Sequence, residues 1–395
     1  MIKELTKENI SLPIGWELTA LGKVCEVIAG QSPESKFYNT NEEGLAFYQG
    51  KKDFSDKYIG QPTKWTTKIT KEAIKNDILM SVRAPVGPVN FSIQRCCIGR
   101  GLAAIRTSEK IDKEYLYNFL VKFKNEIEVN EGAVFNSINK SQIGAIPIPL
   151  PPLPQQKQIV ATLDKAFTAI DTAKANAEQN LQNAKELFES YLQNVFKNKL
   201  DDWEEKTLGD FCHFENGRAF KKTEWTDEGL PIIRIANLNR KKASFNYYNG
   251  DFNNKILISK GDLLFSWSGT IGSSFGPHIW NSNDGLLNQH IYKVGFPKTI
   301  DLKFLYYLFL VITSELEKLT NGAVGLVHVK KSTLNNYTVY IPPFQQQKQI
   351  AEKLDALFKK TKKLETIYSQ KIADLEEMKK SILQKAFSGE LNTLN

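Results

Sequence analysis

Cysteine and histidine side chains are the usual means of nucleophilic and metal chemistry, and their spacing in this chain supports neither. The four cysteines form neither a CxxC pair nor the dense framework of a small disulfide-linked protein. The four histidines all lie in the second half of the chain, at spacings that match no metal-ligand pattern. These residues are Cys25, Cys96, Cys97, Cys212, His213, His278, His290 and His328. We expect the cysteines to be buried apolar side chains, and we predict no metal site.

Two further segments imitate catalytic motifs but lack the groups that do the chemistry. Ile341-Pro342-Pro343-Phe344 looks like the NPPF motif of adenine methyltransferases, but isoleucine cannot hydrogen-bond a target amino group. The earlier copy, Leu150-Pro151-Pro152-Leu153, has the same deficit, so we read both as stiff turns before a helix. The stretch from Gly269 to Gly276 has glycines without the Lys-Ser or Lys-Thr of a phosphate loop. We therefore predict no catalytic residue and no cofactor.

Side chains suited to reading DNA are abundant in the middle of each half. Lysine and arginine contact phosphates, and Arg, Lys, Asn and Gln make paired hydrogen bonds with base edges. In the first half the candidates are Gln49, Lys51, Lys52, Arg83, Arg100, Asn136, Asn139 and Lys140. In the second half they are Arg218, Lys221, Lys222, Arg234, Asn237, Asn239, Arg240, Lys241, Lys242, Gln289, His290, His328, Lys330 and Lys331. Any one of them is more often a solvated surface residue, so we rely on the clusters Gln49 to Lys52 and Arg240 to Lys242.

Aromatic residues accompany these polar groups. They are Tyr48, Trp267, Tyr247 and Tyr248. Such rings can stack against a base or pack on sugar, although core packing is the more frequent fate of an aromatic side chain in a strand.

Composition favours a polyanionic partner without requiring one. The chain of 395 residues has 52 basic and 44 acidic side chains, a formal charge of +8 and a pI near 9.0. Its first residues carry scattered charges in place of the apolar core of a secretory signal, and it has no apolar run long enough to span a membrane. We expect a soluble, cytoplasmic protein with two domains.

The sequence contains an internal duplication. Trp16-Glu17 followed by Leu21-Gly22 recurs as Trp203-Glu204 followed by Leu208-Gly209. NDILMSVRAPVG around Asp77 corresponds to GDLLFSWSGTIG around Asp262, and GAVFNSINKS corresponds to GAVGLVHVKKS. Both halves then have a Pro-Pro pair and a QQKQI segment. Chance similarity between simple stretches is the alternative, but one constant order of motifs favours two copies of one unit.

Each copy has a strand-rich part and a helical part. Short apolar runs alternate with Gly, Asn and Pro turns, and one helix comes late in each copy, at 113–128 and 302–319. We therefore predict an α+β fold with recognition modules at 1–152 and 201–343. The helical parts are 153–200 and 344–395, the latter including a C-terminal tail.

The helical parts carry apolar residues at alternating spacings of three and four, the pattern of a coiled-coil seam. The seam residues that we expect to pair the helices are Leu163, Phe167, Ile170, Leu181, Phe188, Leu354, Leu357, Leu364, Leu375 and Ile382. Because the first helix ends where the second module begins and the second helix starts where that module ends, we predict antiparallel pairing. About 40 helical residues span roughly 60 Å, on the scale of two turns of B-DNA. The alternative is that each helix packs on its own module alone.

These features together resemble the specificity subunits of type I restriction-modification systems, over nearly the whole chain. The resemblance is carried by LPIGWE with its Trp203 repeat, Asp77 and Asp262 in D-[IL]-L-x-S, Asn288-Gln289-His290, IPLPPLPQQKQI, IPPFQQQKQI and AFSGEL. It implies two target-recognition domains on two long helices. It also implies assembly with two modification subunits, which use S-adenosylmethionine to methylate adenine, and with ATP-dependent restriction subunits that cut DNA.

One departure concerns the first module, where Arg100-Gly101 stands in place of Gln289-His290. Since the modules differ, we expect an asymmetric, bipartite DNA target, with the helices setting the gap and docking the modification subunits. Two other interpretations stay open: a self-contained DNA-modifying enzyme, which the missing motifs disfavour, and a tandem scaffold that binds only proteins.

Overall fold

The chain folds into two compact units, and both long helices take part in each. The computed structural model describes residues 12–130, 137–240, 243–270, 274–319 and 326–393. Unit 1 comprises Met1–Glu178 and Ser369–Asn395, and unit 2 comprises Gln179–Tyr368. A helix of unit 1 thus continues into unit 2 at residue 179, and another returns at residue 369.

Unit 1 contains eleven strands among the described residues. In chain order these are β1 (Glu17–Ala20), β2 (Cys25–Ala29), β3 (Tyr38–Asn39), β4 (Leu45–Tyr48), β5 (Trp65–Thr66), β6 (Glu72–Ala73), β7 (Ile78–Ser81), β8 (Val89–Phe91), β9 (Cys96–Ile98), β10 (Leu102–Thr107) and β11 (Pro147–Leu150). Helices α1 (Lys113–Asn130) and α2 (Lys140–Gly144) precede β11, and α3 (Leu153–Lys197) follows it.

Unit 2 begins within α3 and repeats the same order with small additions. Its first elements are β12 (Glu204–Thr207), α4 (Leu208–Phe211), β13 (His213–Asn216), β14 (Leu230–Ile233), α5 (Ile235–Asn239), β15 (Asn246–Tyr248), β16 (Leu257–Ile258), β17 (Leu263–Ser266) and β18 (Ser268–Thr270). They are followed by β19 (Gly276–Ile279), β20 (Gly285–Leu287), β21 (Ile291–Gly295), α6 (Leu302–Leu319), β22 (Leu326–His328), α7 (Lys331–Asn335), β23 (Thr338–Ile341) and α8 (Phe344–Ser388).

Most strand pairings of the two units match; β3 in unit 1 and the pair β18-β22 in unit 2 have no counterpart among the described strands. An antiparallel sheet ordered β2-β10-β7-β8 in unit 1 corresponds to β13-β21-β17-β19 in unit 2. A second sheet, β3-β5-β4-β9-β6, corresponds to β15-β14-β20-β16, and in both the central pair is parallel. The pairs β1-β11 and β12-β23 close each repeat. The duplication and the α+β class predicted from sequence are confirmed. The module boundaries predicted above stay a prediction.

Each unit closes its core with the start of one long helix and the end of the other. In unit 1, Leu163 of α3 and Phe387 of α8 are both buried in the main cluster, where the Phe387 ring lies 5.0 Å from that of Tyr115. In unit 2, Leu354 of α8 packs with Leu192 of α3. Because apolar side chains stabilise a fold roughly in proportion to the area they bury, both helices are integral parts of each unit.

A buried glutamine ties the start of each long helix to its unit. In unit 1, Gln156 accepts a hydrogen bond from the backbone N–H of Asp112 at 2.8 Å and donates to the carbonyl oxygens of Lys110 and Pro151. Its counterpart in unit 2, Gln347, accepts a hydrogen bond from the backbone N–H of Asp301 at 2.8 Å and donates to the carbonyl oxygens of Thr299 and Pro342. Buried amides whose hydrogen bonds are all satisfied make the surrounding structure rigid.

The Pro-Pro turns have the structural role expected from sequence. Leu153 begins α3 directly after Pro152, and Phe344 begins α8 directly after Pro343. Proline suits this position because it donates no backbone hydrogen bond, which the first turn of a helix does not need.

The two long helices run antiparallel where they meet within a unit. In unit 1, Lys379 contacts Asp171 at 2.8 Å and Lys174 pairs with Glu376. Residue numbers thus rise along α3 from one pair to the next while they fall along α8, as antiparallel helices require. In unit 2, the rings of Phe188 and Phe358 lie 5.2 Å apart. Helix pairing therefore occurs in both units, against the alternative in which each helix packs on its own module alone.

The expected seam residues differ in exposure. Leu163, Ile170 and Leu354 are buried, whereas Leu364 is 37% exposed and Thr361, three residues earlier, is buried. The half-buried seam residues are Phe167, Leu181, Phe188, Leu357, Leu375 and Ile382. Within the described ranges, no helix is both long and apolar enough to span a membrane.

Candidate nucleic-acid interface

Four of the candidate residues in the first half line one cleft of about 380 Å³ in unit 1, which we call the arginine cleft. Its polar lining residues are Gln49, Lys51, Ser81, Arg83 and Arg100, and Gly101 forms part of its wall. Gln49 and Lys51 come from the cluster that sequence analysis favoured, whereas Arg83 and Arg100 lie far from it in the chain.

Strand pairing explains why these residues converge. Strands β4 and β9 are parallel, so Gln49 and Arg100, which follow their ends, emerge at the same edge of one sheet. Strand β7 is antiparallel to β10 with Ser81 opposite Leu102, which places Arg83 beside the turn that carries Arg100. The cleft is therefore set by the register of both sheets of unit 1.

The cations of the arginine cleft differ from the other arginines of unit 1 in their lack of partners among the described residues. Across the described residues, Lys51, Arg83 and Arg100 are exposed and make neither a side-chain hydrogen bond nor an ion pair. Two other arginines of the same unit are engaged. Arg95 binds Glu72 at 2.6 Å, which lowers the pKa of that carboxyl, and Arg106 binds the buried Asp77 at 2.8 Å.

The other candidates of the first half lie at the surface of unit 1. Lys52 is exposed and reaches the Thr63 hydroxyl at 3.5 Å. Asn139 caps α2: its side-chain Oδ1 accepts the backbone N–H of Gln142, and its own backbone N–H donates to the Gln142 Oε1. Lys140 is the exposed first residue of α2, and Asn136 lies outside the described residues.

In unit 2, Gln289, His290 and His328 gather around the ring of Trp267. The Trp267 ring lies 5.4 Å from that of His290 and 5.9 Å from that of His328, and its indole N–H donates to the carbonyl oxygen of Gln289 at 3.2 Å. Among the residues described, the Gln289 Oε1 and His290 Nδ1 atoms are buried without a hydrogen-bond partner. Orphan polar atoms of this kind are costly unless a ligand or water satisfies them.

Two arginines of unit 2 are held over aromatic rings. The Arg218 guanidinium lies 4.9 Å from the ring centres of both Phe220 and Tyr248 and forms an ion pair with Glu224. The Arg234 guanidinium lies 5.7 Å from the Trp225 ring and donates to the carbonyl oxygen of Ser244. These contacts order both side chains but leave them less free than Arg83 and Arg100.

The remaining candidates of unit 2 divide into bonded and exposed side chains. Asn237 bonds the backbone of Arg234 and Ser244, Asn239 bonds Ile235, and the Lys331 ammonium donates to the Phe214 carbonyl at 2.6 Å. The exposed candidates are Lys221, Lys222, Arg240 and Lys330. Lys241 and Lys242, and hence most of the cluster Arg240 to Lys242, lie outside the described residues.

The cysteines are buried thiols, as the sequence predicts. Burial raises the pKa of the Cys25 and Cys212 thiols to about 12 and that of Cys96 to about 11. Such thiols are inert as nucleophiles near neutral pH. Within the described ranges, no group of three or more His, Cys, Asp or Glu side chains is arranged to hold a metal ion.

Comparison with known families gives the same twofold pattern as the structure. The family model of the type I restriction modification DNA specificity domain matches residues 13–183 and again residues 200–376. The chain belongs to this family. The two matches of the specificity domain coincide with the two copies found in the sequence, and the resemblance stated there is confirmed.

Curated relatives of the specificity-domain family match either one copy or both. The putative type I restriction enzyme MjaX specificity subunit of Methanocaldococcus jannaschii is 42% identical over 46% of this chain, a match that spans less than half of that relative, 44% of its length. The MjaVIII specificity subunit of the same organism is 25% identical over 98% of this chain and 95% of its own. The EcoKI specificity subunit of Escherichia coli is 25% identical over 75% of this chain and 69% of its own.

Two solved structures share the fold of this chain at low identity. A chain from the type I R-M system, solved to explain complex assembly and conformational transition, matches 95% of this chain and 98% of itself with a TM-score of 0.81 and 19% identity. The HsdS subunit from Thermoanaerobacter tengcongensis matches 97% of this chain and 99% of itself with a TM-score of 0.65 and 18% identity. At such identities the likeness concerns the fold alone.

Sequence reasoning missed the residues that support these specificity-domain side chains. The Ser32 hydroxyl accepts the backbone N–H of Arg100 at 3.1 Å, and Glu224 and Trp225 hold Arg218 and Arg234. Of these residues, only Glu224, six positions after Arg218, has a spacing along the chain that could have indicated it. Ser32 is far from Arg100 in sequence and gave no signal.

Proposed function

We propose that this chain is the DNA-specificity subunit of a type I restriction-modification complex, in which each unit reads one half of an asymmetric, bipartite target. Membership of the specificity-domain family supports the role, and the observation that carries the site is the arginine cleft. It brings together, at one edge of unit 1, a carboxamide and three cations that have no side-chain partner among the described residues, and phosphates and base edges accept hydrogen bonds from such groups.

The second unit supports a different reading at the corresponding place. Gln49 and Arg234 each follow the first strand of the central parallel pair, and Arg100 and Gln289 each follow the second. Unit 2 therefore presents Gln289, with Trp267 beside it, where unit 1 presents Arg100. Different donors at equivalent places favour two different half-sites, hence an asymmetric target.

The long helices have two roles in the proposal. Each is 45 residues long, which corresponds to roughly 68 Å of helix, and this length sets the gap between the half-sites. Their outward faces dock two modification subunits, which supply S-adenosylmethionine-dependent methylation of adenine, and restriction subunits join that assembly to cut DNA. The chain itself is non-catalytic and works in the cytoplasm with double-stranded DNA.

The proposal is tested with the purified chain, its modification subunits and DNA that carries the target found by methylome sequencing. We expect the assembled complex to shift specific DNA more strongly than scrambled DNA, and the affinity to fall steeply with salt because phosphate contacts release counterions. Methyl transfer is expected from the assembled complex and not from the chain alone.

Two controls make this test decisive. Scrambled DNA of equal length and charge measures non-specific binding, and the chain without modification subunits measures its own contribution. Equal affinity for both DNAs would show a scaffold without specificity, and methyl transfer by the isolated chain would show a self-contained enzyme. Either result overturns the proposal.

A further inference from the structure

The arginine cleft exists in unit 1 because Gly101 forms part of its wall. The N–H of Gly101 donates to the carbonyl oxygen of Gln49 at 3.2 Å, and a Cβ at this position would collide with that oxygen. In unit 2 the equivalent residue is His290: the N–H of Trp267 donates to its carbonyl as the N–H of Val82 does to that of Gly101. A side chain therefore occupies in unit 2 the position that is bare in unit 1.

The cleft concentrates positive charge. Three of its lining side chains, Lys51, Arg83 and Arg100, are cationic, and none of its lining residues, all of which lie within the described ranges, is acidic. Cations that converge without a carboxylate repel one another, so an electronegative ligand is the partner that stabilises them. Arg95 shows that the same unit pairs its exposed arginines with acids where they serve the fold.

The backbone beneath both arginines is held rigidly. Arg100 lies in a tight turn closed by a 3.0 Å hydrogen bond from the N–H of Leu102 to the carbonyl oxygen of Gly99, and its own N–H is bound by Ser32. Arg83 follows β7, and its carbonyl oxygen accepts from the hydroxyl of the buried Ser81. Only the side chains have to be ordered on binding, and such preorganisation favours selective over merely attractive contacts.

From these observations we infer that the arginine cleft is a guanine-reading subsite, which gives the half-site of unit 1 at least one guanine that Arg83 or Arg100 recognises. The inference rests on the proposed function and deepens it. A guanidinium offers two parallel N–H donors that match O6 and N7 of guanine in the major groove, and this is the base that arginine selects. Lys51, a point charge at the rim, supplies the neighbouring phosphate contact.

Among the described residues, the equivalent place in unit 2 has no exposed arginine without a side-chain partner. Arg234 there is placed over Trp225 and bonded to Ser244, and the positions of Arg100 and Gly101 are taken by Gln289 and His290. A carboxamide, with one donor and one acceptor side by side, makes its paired hydrogen bonds with adenine, whereas guanine presents two acceptors in the major groove. The guanine requirement is therefore assigned to the half-site of unit 1.

The first experiment determines the methylated motif in cells that express the assembled system with the wild-type chain, Arg83→Gln, Arg100→Gln or Arg95→Gln. At least one of the first two is expected to relax the motif at one guanine of one half, with discrimination reduced by about 10- to 100-fold, while the other half and the gap stay unchanged. Arg95→Gln, an exposed arginine of the same unit paired with Glu72, is the matched control and should keep the motif.

A second measurement leaves the protein unaltered. Each guanine of the target is replaced in turn by 7-deazaguanine, which lacks the N7 acceptor, and binding of the wild-type complex is measured. We expect one replacement to weaken binding by about 10-fold or more, and the matching arginine variant to lose that difference. This arm gives an answer even if a variant assembles poorly.

The outcomes separate the inference from the function beneath it. A motif without guanine in either half, binding that ignores 7-deazaguanine, or arginine variants that weaken all sites equally without changing the motif, would each overturn the guanine subsite; the last result would make the cleft a phosphate contact. In all three cases the chain would still direct site-specific methylation. Absence of any chain-dependent motif would instead overturn the proposed function.

Discussion

The buried glutamines Gln156 and Gln347 occupy equivalent positions and have equivalent partners. Each satisfies one backbone N–H and two carbonyl oxygens between the helix start and the loop that leads into α1 or α6. A residue buried this completely cannot exchange its partners for water, so its removal leaves several backbone groups unsatisfied.

Replacing Gln156 with leucine is therefore expected to destabilise unit 1 by about 2–4 kcal/mol, and Gln347→Leu to destabilise unit 2 by a similar amount. Urea unfolding followed by hydrogen exchange, read separately for α1 and α6, measures both. Gln158→Leu, a change at an exposed position of the same helix, is the control and should cost less than about 0.5 kcal/mol. Equal effects of the buried and exposed replacements would contradict this account.

A second residue gives unit 2 a dependence on pH. His278 lies in β19, and burial lowers the pKa of its imidazole to about 4. In the unfolded chain the same group titrates near its ordinary value of about 6.5, so between these limits the unfolded state binds more protons. The contribution of His278 to the stability of unit 2 is therefore full above about pH 6.5 and is lost as the pH falls towards 4.

We expect this loss to be on the order of 3 kcal/mol and His278→Leu to remove it, because leucine cannot be protonated in either state. The free energy of unfolding is measured in urea at several pH values between 4 and 7.5 for both proteins. If the variant loses stability with acid as steeply as the parent, His278 is not the source.

Among the elements, the two long helices combine local and distant contacts. The pairs Asp171–Lys379 and Lys174–Glu376 are exposed ion pairs, which contribute little individually, whereas Leu163, Leu192, Leu354 and Phe387 are buried. The apolar contacts thus hold each helix to its unit, and the charged pairs help to select the antiparallel register.

Lengthening both helices should lengthen the DNA gap. An insertion of seven residues in each helix, near 178 in α3 and 369 in α8, keeps the phase of the seam and adds about 10.5 Å, which corresponds to roughly three base pairs. Methylome sequencing of cells with the altered chain is expected to show the same half-sites with a wider gap. The same insertion in one helix alone should abolish methylation, and an unchanged gap in the double insertion would count against a spacing role.

The position of individual helices could be predicted well from the sequence. Helix α6 was expected at 302–319 and has these bounds, because a long amphipathic period is a local property. The seam was harder, as Leu364 illustrates: it fits the spacing pattern but is 37% exposed, while Thr361 is buried. The spacing pattern identifies a face of a helix, but its exposure depends on what packs there.

At the scale of the whole molecule, duplication could be read from the order of motifs, but the site could not. The arginine cleft joins Gln49, Arg83 and Arg100 through strand registers that no local pattern encodes. Likewise, Arg218, Asn237 and Lys331 are bonded within the protein, and only the fold distinguishes them from side chains that are free to bind a ligand. The residue types indicate which side chains can bind DNA, whereas the strand pairing determines which of them lie together.

The place of Phe387 in unit 1 has a consequence for synthesis. Its ring, together with Ala386 and Leu383, completes a core whose strands and α1 leave the ribosome much earlier, with all of unit 2 translated in between. Unit 1 therefore cannot complete its core, and leaves an apolar surface exposed, until the end of α8 has been synthesised. A nascent chain of this design is a natural client for chaperones, and a premature stop codon near its end would damage the domain that was made first.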